Sequence, residues 1–194
     1  MDVLVACETS GAVRTAFRER GHDAWSCDLL PSDDGSDYHI QGDALEVIPS
    51  RAWDLMIAHP PCTHLCNSGV GWLRKEAGRP TKMRHASKFF YALWNASIPR
   101  VVCENPIPHR YGRLPRYTQI IQPYQFGHPE RKATCLWVRG VEPLQGTKDV
   151  KREMEKLPKH LSQRLHYASP SPDRWKIRSK TYTGIAQAMA TQWG

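Results

Sequence analysis

The sequence lacks any long hydrophobic run. Its first apolar stretch, Val3 to Cys7, has the length of a strand, and no later stretch approaches the roughly 18 apolar residues that span a bilayer. Nothing resembles a signal peptide, an internal repeat or a low-complexity tract. These absences argue against membrane, secreted and repeat proteins. We therefore expect a soluble, cytoplasmic monomer with a single domain at residues 1–194.

Paired Cys-x-x-Cys spacings are also missing, although the chain has six cysteines. A chain of this length can build a core without disulfides, so we interpret the cysteines as reduced thiols. His59, Cys62, His64 and Cys66 are four possible zinc ligands within eight residues. Ligands spaced so tightly at one strand exit point in different directions, which makes zinc the weaker interpretation. The signatures of zinc-dependent cytosine deaminases are absent.

Acidic residues are scarce in the second half of the chain. Residues 1–109 carry 11 Lys and Arg against 13 Asp and Glu, whereas residues 110–194 carry 16 against 6. This imbalance accounts for the net charge of +8. A basic half beside a near-neutral half is typical of polyanion binders, so we expect residues 110–194 to contact nucleic acid. A solvated basic surface is the alternative interpretation.

Short apolar runs and helical patterns alternate through the first 105 residues. The predicted strands are 3–6, 24–28, 54–58 and 100–104, and the predicted helices are 11–20, 44–50 and 85–96. Glycines, Pro80 and scattered cations predict a mobile loop at 63–82. Further along, we expect a strand pair within 124–138, one helix at 149–157 and a closing helix at 183–193. Continuous apolar strands alternating with helices predict a mostly parallel α/β sheet covered on both faces.

Polar side chains stand where the predicted strands end. They are Glu8, Asp28, Asp43, Cys62 and Glu104. Ligands of such sheets bind beyond the carboxyl ends of the strands, so these residues predict one site. Two prolines stiffen the backbone before Cys62, which makes this thiol a candidate nucleophile. Burial would keep Glu104 protonated and able to hydrogen-bond a ring nitrogen. Taken alone, Cys62 is more typical of a structural cysteine, and Glu104 of a cap or salt-bridge partner.

Taken in order, these segments resemble the DNA cytosine-5 methyltransferases. Pro60-Pro61-Cys62 followed by Glu104-Asn105 is the most specific match. Weaker matches are 6–11, 27–28, 42–43, 126–132 and 183–186. The resemblance implies a Rossmann-like, S-adenosylmethionine-dependent methyltransferase fold in a short, phage-type member of the family. It further implies that Cys62 attacks C6 of a cytosine flipped out of DNA, while Glu104 engages N3 and the exocyclic amine, so that C5 accepts a methyl group.

The resemblance also assigns the other site residues. Arg131 and Lys132 would join Cys62 and Glu104 in catalysis, and the 63–82 segment would close over the base. No metal is implied. The residues implied to bind S-adenosylmethionine are Cys7, Glu8, Thr9, Gly11, Asp28, Leu29, Asp43, Pro60, Thr183 and Gly184.

The chain departs from the family in its cofactor loop and in its length. Cys7, Thr9 and Ser10 replace family residues in that loop. A short basic insertion, 141–180, stands where the family has a full target-recognition domain. It predicts relaxed sequence specificity, with affinity from phosphate contacts. Three alternatives stay open: a catalytically silent nucleic-acid-binding relic, a modified S-adenosylmethionine donor, and cytosine in RNA or a free nucleotide as the substrate.

Overall fold

A computed structural model describes residues 1–171 and 174–194, so that residues 172–173 of the basic insertion lie outside the described residues. Seven strands form one sheet in the order β3-β2-β1-β4-β5-β7-β6. The strands are β1 (Asp2–Ala6), β2 (Asp23–Asp28), β3 (His39–Gln41), β4 (Leu55–Ala58), β5 (Arg100–Pro106), β6 (Gln119–Ile121) and β7 (Thr134–Arg139). Neighbours among β1 to β5 pair in parallel, whereas β7 is antiparallel to β5 and β6.

Helices connect and cover the strands. The α-helices are α1 (Ala12–Arg18), α2 (Ala44–Val47), α3 (Arg79–Trp94), α4 (Lys151–Lys156), α5 (Lys159–Ser162), α6 (Arg164–Tyr167), α7 (Arg174–Ser179) and α8 (Thr183–Trp193). Short 3-10 helices cover Ile48–Ser50, Asn67–Arg74, Arg110–Gly112 and Pro123–Gln125. None of the helices described is both long and apolar enough to cross a membrane.

The two faces of the sheet are buried under different helices. Along β1, Val3 and Val5 belong to the core that includes α1 and α8, whereas Leu4 and Ala6 belong to the core that includes α2 and α3. Successive side chains of a strand point to opposite faces, so a strand covered on both sides must be apolar throughout. The predicted Rossmann-like α/β fold, with a mostly parallel sheet and helices on both faces, is confirmed.

The segment 63–82 is not the irregular loop that its composition predicts. It contains the 3-10 helix Asn67–Arg74 and the start of α3. Gly78 adopts a left-handed φ of 78° at the N-cap of α3, and Pro80 lies in the first turn, where a helix needs no N–H from it. The glycine and proline are therefore helix-start signals, and α3 begins six residues before the predicted helix at 85–96.

Two further predictions in the second half need correction. The strand β6 lies before the predicted 124–138 interval, because Gln119–Ile121 pairs with the start of β7. The basic insertion holds α5, α6 and α7 besides the predicted helix, which is α4. Each of these extra helices has six residues or fewer, too short for the helical period to be visible in the sequence. The closing helix is confirmed as α8.

The antiparallel β7 completes the edge at which the parallel strands end. Thr134 pairs with Pro106, so β7 begins where β5 finishes. Residues just before β7 therefore lie beside residues just after β4 and β5. The sequence segments around 60, 105 and 132 are thus brought to one edge of the sheet.

Candidate active site

The centre of this edge is a contact between His59 and Glu104. Ala58 of β4 pairs with Cys103 of β5. The residues that follow them, His59 and Glu104, therefore lie side by side on the same face of the sheet. Nδ1 of His59 is 3.1 Å from Oε2 of Glu104, and the two side chains are only 11% and 16% exposed. The backbone N–H of His59 donates to the carbonyl of Ala6 at 2.9 Å. The pair is thus positioned by three adjacent strands.

The turn that carries Cys62 is held from both sides. The side-chain amide of Asn105, which is buried, donates to the carbonyl of Pro60 at 2.8 Å. After Cys62 the chain turns back, since the carbonyl of Cys62 accepts the N–H groups of Leu65 and Cys66, each at 2.9 Å. Leu65 is fully buried and anchors the turn in the core. Cys62 therefore lies in a fixed turn, which Asn105 ties to the residue directly after Glu104.

A second thiol, Cys66, adjoins Cys62. The neighbouring Cys66 thiol, burial and the negative charge of Glu104 raise the pKa of Cys62, against the lowering effect of Lys132. The pKa of Cys66 is lowered by hydrogen bonds, first from Cys62 and then from Ser68, whose Oγ is 3.2 Å from Sγ. The opposite directions of the two pKa shifts make Cys66 the more acidic thiol and the acceptor for the proton of Cys62.

Glu104 is ionised, contrary to the expectation that burial would keep it protonated. Burial does raise its pKa, but the hydrogen bond from His59 and the positive charge of Lys132 outweigh it, and the net pKa is lowered. Lys132 is held at this position by its backbone N–H, which donates to Oε1 of Gln122 at 3.1 Å. A small cleft beside these groups is lined by Glu104, Lys132, Thr134, Tyr182 and their neighbours.

Arg131 is not brought to this group. Its Nε donates to Sδ of Met154 at 3.4 Å, and its Nη2 lies 3.9 Å from the carboxylate of Glu155, both on α4. Its side chain is 52% exposed. Of the two cations predicted for catalysis, the structure places Lys132 at the site and directs Arg131 towards the basic insertion.

Two of the three carboxylates predicted to bind a cofactor, Asp28 and Asp43, stand at neighbouring strand ends. Asp28 ends β2, and its Oδ1 accepts the N–H of Leu30 at 3.0 Å. Asp43 follows β3 and caps α2, accepting the N–H of Leu45 on Oδ1 at 2.9 Å. Leu29, directly after Asp28, is 71% exposed although it is a large apolar residue. Two acids and an exposed leucine at one rim suit a ribose and an adenine ring.

In the loop after β1, the side chain of Glu8 takes the N–H groups at the start of α1 that a ligand could otherwise use. Glu8 is 4% exposed; its Oε1 accepts the N–H of Val13 at 2.8 Å and its Oε2 that of Arg14 at 3.3 Å. Glu8 thus caps α1, where a carboxylate is favoured by the helix dipole. Gly11 has a φ of 65°, and a Cβ there would overlap the Arg14 guanidinium, which pairs with Asp34. The structure therefore gives packing reasons for Glu8 and Gly11.

Cys7 and Thr9 complete this loop. Cys7 has a φ of 60°, a left-handed conformation that is costly for a residue other than glycine and that clusters at functional sites. The Thr9 hydroxyl donates to Asp33 at 3.3 Å, and the carbonyl of Thr9 accepts the N–H of Asp33 at 2.9 Å. These contacts tie the loop to the segment that follows Asp28.

Thr183 and Gly184 lie at the start of α8, between Tyr182 and Ile185, which line the small cleft beside Glu104 and Lys132. The N–H of Gly184 donates to Nε2 of His128 at 3.0 Å, and burial lowers the pKa of that histidine, which suits a neutral acceptor. A Cβ at Gly184 would overlap the carbonyl oxygen of Phe126. The close packing of α8 against residues 126–128 explains this glycine, while Thr183 is exposed.

The edge fits the adenosine part of S-adenosylmethionine better than its amino-acid part. Asp28, Leu29 and Asp43 present carboxylates and an apolar surface to a nucleoside, and within the described residues each aspartate has an oxygen without a hydrogen-bond partner. Glu8, in contrast, covers the N–H groups at the start of α1 with its own carboxylate. Pro60 adjoins the site through the turn of Cys62.

The zinc interpretation finds no support in side-chain placement. In residues 1–171 and 174–194, no three His, Cys, Asp or Glu side chains are arranged to hold a metal ion. Of the four candidate ligands, His59 contacts Glu104 through Nδ1 at 3.1 Å, and Cys66 contacts the hydroxyl of Ser68 at 3.2 Å. All six cysteines are free thiols.

Sequence reasoning missed the roles of His59, Asn105 and Cys66. The sequence does carry a signal for His59. It stands between an apolar strand and two prolines, just as Glu104 stands at the end of another apolar strand. Only the pairing of β4 with β5 makes the two residues neighbours.

Comparisons with known proteins give similarity to solved structures only. No protein-family model matches the chain, and no curated protein matches it. A putative DNA modification methyltransferase from a prophage of E. coli has 13% identity over 81% of this chain and 55% of its own, with a TM-score of 0.49. An Entamoeba histolytica methyltransferase has 14% identity over 77% and 57%, with a TM-score of 0.48. WbdD, solved with a kinase inhibitor, has 14% identity over 75% and 37%, with a TM-score of 0.39.

The chain spans little more than half the length of the first two of these proteins.

The proton distribution of the thiol pair predicts which cysteine reacts first. At pH 7 we expect iodoacetamide to alkylate Cys66 before Cys62, because the thiolate is the reactive form. In Cys66→Ser, Cys62 should react only at alkaline pH, since burial and Glu104 still raise its pKa. Peptide mass spectrometry measures both, with buried Cys27, Cys103 and Cys135 as internal controls. Faster alkylation of Cys62 than of Cys66 in the wild type at pH 7 would contradict this assignment.

The contact between His59 and Glu104 predicts a pH window of stability. The Glu104 pKa lies below 4.5, so its contribution is lost as pH falls through that lowered value. The His59 pKa lies above 6.5, so its contribution is lost as pH rises through the raised value. Both contributions are present between about pH 4.5 and pH 6.5. In this range Glu104→Gln should lower the free energy of unfolding by about 2 kcal/mol.

Urea unfolding of the wild type and Glu104→Gln from pH 4 to 9 measures this window. Glu155→Gln is the matched control, because its carboxylate is 48% exposed and only loosely paired. If the difference in unfolding free energy between wild type and Glu104→Gln were the same at every pH, His59 and Glu104 would not form an ion pair.

Proposed function

We propose that this chain transfers a methyl group from S-adenosylmethionine to C5 of cytosine in DNA, with Cys62 adding to C6 of the base. The observation that carries this proposal is the convergence of the Cys62 thiol and the Glu104 carboxylate at one sheet edge, coupled through the bond from Asn105 to Pro60. A fixed nucleophile beside a group that can bind the ring-nitrogen edge of a base is what C5 chemistry requires.

Each group has a definable task in this reaction. Cys62 forms a bond to C6 while its proton passes to the Cys66 thiolate, and Glu104 binds N3 and the exocyclic amine. The negative charge pushed into the ring makes C5 nucleophilic, and the ammonium of Lys132 stabilises negative charge on Glu104 and on the Cys62 sulfur. After C5 has accepted the methyl group, its proton passes to solvent water, the electrons of the C5–H bond expel Cys62 from C6, and the Cys62 sulfur recovers its proton from Cys66.

When bound, S-adenosylmethionine supplies an electrophilic methyl group. Asp28 and Asp43 would hold its adenosine part, with Leu29 against the adenine. These residues lie at the ends of β2 and β3, and the base site lies at the ends of β4 and β5. The loop of Cys7 and Thr9, after β1, stands between the two halves.

A basic surface next to Cys62 supports DNA as the substrate. We define the loop-side basic surface by the exposed cations of the 3-10 helix Asn67–Arg74, α3 and the segment 110–116: Arg74, Lys75, Lys82, Arg84, Lys88, Arg110, Arg113 and Arg116. Glu76, the acid among them, is paired with Arg79 and Lys82. Five of these cations precede residue 110, so the basic surface extends beyond the predicted basic half at residues 110–194.

Exposed aromatic side chains accompany these cations. Trp72 is 55% and Tyr111 46% exposed, and Tyr111 lines an open, largely apolar groove of about 450 Å³ with Leu73, Arg74 and Met83. Aromatic faces interleaved with arginines suit unstacked bases and phosphates. The guanidinium of Arg79 donates to the carbonyl of Thr63 at 2.7 Å, which anchors this surface one residue beyond Cys62.

One observation favours a second candidate, a nucleic-acid-binding protein without transferase activity. Glu8 covers the N–H groups at the start of α1, so the loop after β1 offers a cofactor little of the helix N-terminus. Calorimetric titration with S-adenosylmethionine separates the two candidates. Binding heat that disappears in Asp28→Ala supports the transferase, whereas its absence in the wild type supports the second candidate.

The thiol mechanism predicts a covalent adduct with DNA that contains 5-fluorocytosine. Because fluorine at C5 cannot leave as a proton does, the bond from Cys62 to C6 should persist after methyl transfer. We expect an adduct on denaturing gels that Cys62→Ser abolishes, whereas Cys66→Ser forms it more slowly.

The matched cysteine variants decide which sulfur is in the adduct. Wild-type protein that modifies ordinary cytosine DNA but never forms the adduct would contradict the thiol mechanism. An adduct retained in Cys62→Ser and abolished in Cys66→Ser would show that Cys66, not Cys62, is the nucleophile.

The loop-side basic surface predicts a change in the salt dependence of DNA binding. In the double variant Arg74→Ala/Lys75→Ala, the slope of log K against log salt should fall by about 0.9 for each phosphate of duplex DNA that the protein no longer neutralises. The control is Arg18→Ala/Arg51→Ala, which removes the same charge at the opposite edge of the sheet, where these arginines pair with Asp23 and Asp2 at the starts of β2 and β1. Fluorescence anisotropy at several salt concentrations measures both slopes, and an unchanged slope in the first variant would contradict the assignment.

A further inference from the structure

His59 contacts Glu104 at a position that the reaction alone does not explain. Its backbone is fixed on both sides, by the hydrogen bond to Ala6 and by Pro60, which restricts the conformation of the residue before it. Its Nδ1 meets Oε2 of Glu104 at 3.1 Å, and its Nε2 is buried without a hydrogen-bond partner in the described residues. A fixed, buried imidazole with one polar contact is directed at Glu104 alone.

The charges around His59 favour its protonated form. The ionisable groups that act on it are Glu104 of β5, Glu8 after β1 and Lys132 before β7. Counted without the thiol pair, the two carboxylates and one ammonium that act on His59 are one positive charge short of neutrality. Burial lowers the pKa of His59, but the hydrogen bond to Glu104 and the two carboxylates outweigh it and raise the pKa. The imidazolium therefore supplies the missing charge.

Glu104 alone lacks a proton that the proposed reaction needs. An ionised carboxylate accepts a hydrogen bond from the exocyclic amine of cytosine, but it cannot donate one to N3. A proton added at N3 is what draws electrons from C6 and admits the thiolate. The nearest proton to the Glu104 carboxylate is the one on Nδ1 of His59.

We infer that His59 is a positioning residue that stores the proton which Glu104 delivers to the ring nitrogen of the base. This inference rests on the proposed function and assigns to it a residue outside direct contact with the substrate.

The proton moves in two linked steps. The Nδ1–H bond of His59 breaks and its proton adds to the Glu104 carboxylate, and a carboxyl O–H bond breaks as a proton adds to N3. The electron pair of the Nδ1–H bond stays on His59, which becomes a neutral imidazole, and the positive charge passes to the base. When the bond from Cys62 to C6 breaks, N3 returns its proton by the same path, so no other reactant is consumed.

The first test measures the pair without the reaction. In the wild type, NMR titration of the histidine ring nitrogens should give His59 a pKa above 6.5, and in Glu104→Gln this pKa should fall below 6.5 because burial then dominates. A His59 pKa below 6.5 in the wild type, or one that does not change in Glu104→Gln, would overturn the inference whatever the activity of the protein.

The second test compares two amide variants at the same position. The amide of Asn places its N–H near Nδ1 and so keeps a donor for Glu104, whereas the longer Gln places it near Nε2. In the wild type, kcat for methyl transfer should fall as pH rises through the His59 pKa. His59→Asn should lose this limb of the pH profile and be slower by about 100-fold. Positioning without proton storage predicts instead that His59→Asn keeps the wild-type rate and profile while His59→Gln loses activity.

The two tests separate this inference from the proposed function. A folded wild-type protein that makes no 5-methylcytosine would remove the proposed function, and the proton path with it. Wild-type activity together with an unaltered profile in His59→Asn would remove the inference and leave the proposed function in place. Thermal unfolding of each variant identifies loss of activity through misfolding, in which case the NMR titration decides.

Discussion

The register between β4 and β5 fixes the geometry on which the rest of the site depends. Because Ala58 lies opposite Cys103, the next residues along the two strands, His59 and Glu104, are about 5 Å apart across the sheet and share a face. One residue further, Asn105 reaches back to the carbonyl of Pro60. A shift of the register by one residue would turn Glu104 to the other face and release the turn of Cys62.

A buried carboxylate at this edge needs positive charge from its neighbours. The antiparallel direction of β7 supplies Lys132, since the chain enters β7 at the edge where β5 ends. The imidazole of His59 supplies a second partner from within the parallel sheet. With Glu104 ionised, the proton of the thiol pair stays on Cys62, and Cys66 takes the thiolate form. The proposed nucleophile and the proposed base-binding carboxylate thus lie in one network of interacting charges at this edge.

The sheet class and the residues at strand ends could be predicted, because continuous apolar strands and the residues that follow them are local features. The pairing of His59 with Glu104 could not, since it depends on which strands are neighbours and in what register. Lys132 and Arg131 are adjacent, and only the path of the chain into β7 decides which of them reaches Glu104. Glu8 shows the opposite case: an acid just before α1 is a local cap signal that the expectation of a cofactor loop concealed.

The central claim is that this edge performs C5 chemistry on cytosine through Cys62. The most direct measurement is nucleoside analysis by mass spectrometry of DNA incubated with the protein and isotope-labelled S-adenosylmethionine. The account predicts labelled 5-methyl-2′-deoxycytidine with the wild type and none with Cys62→Ser. Labelled product at another base or atom, or labelled 5-methyl-2′-deoxycytidine formed equally by Cys62→Ser, would contradict it.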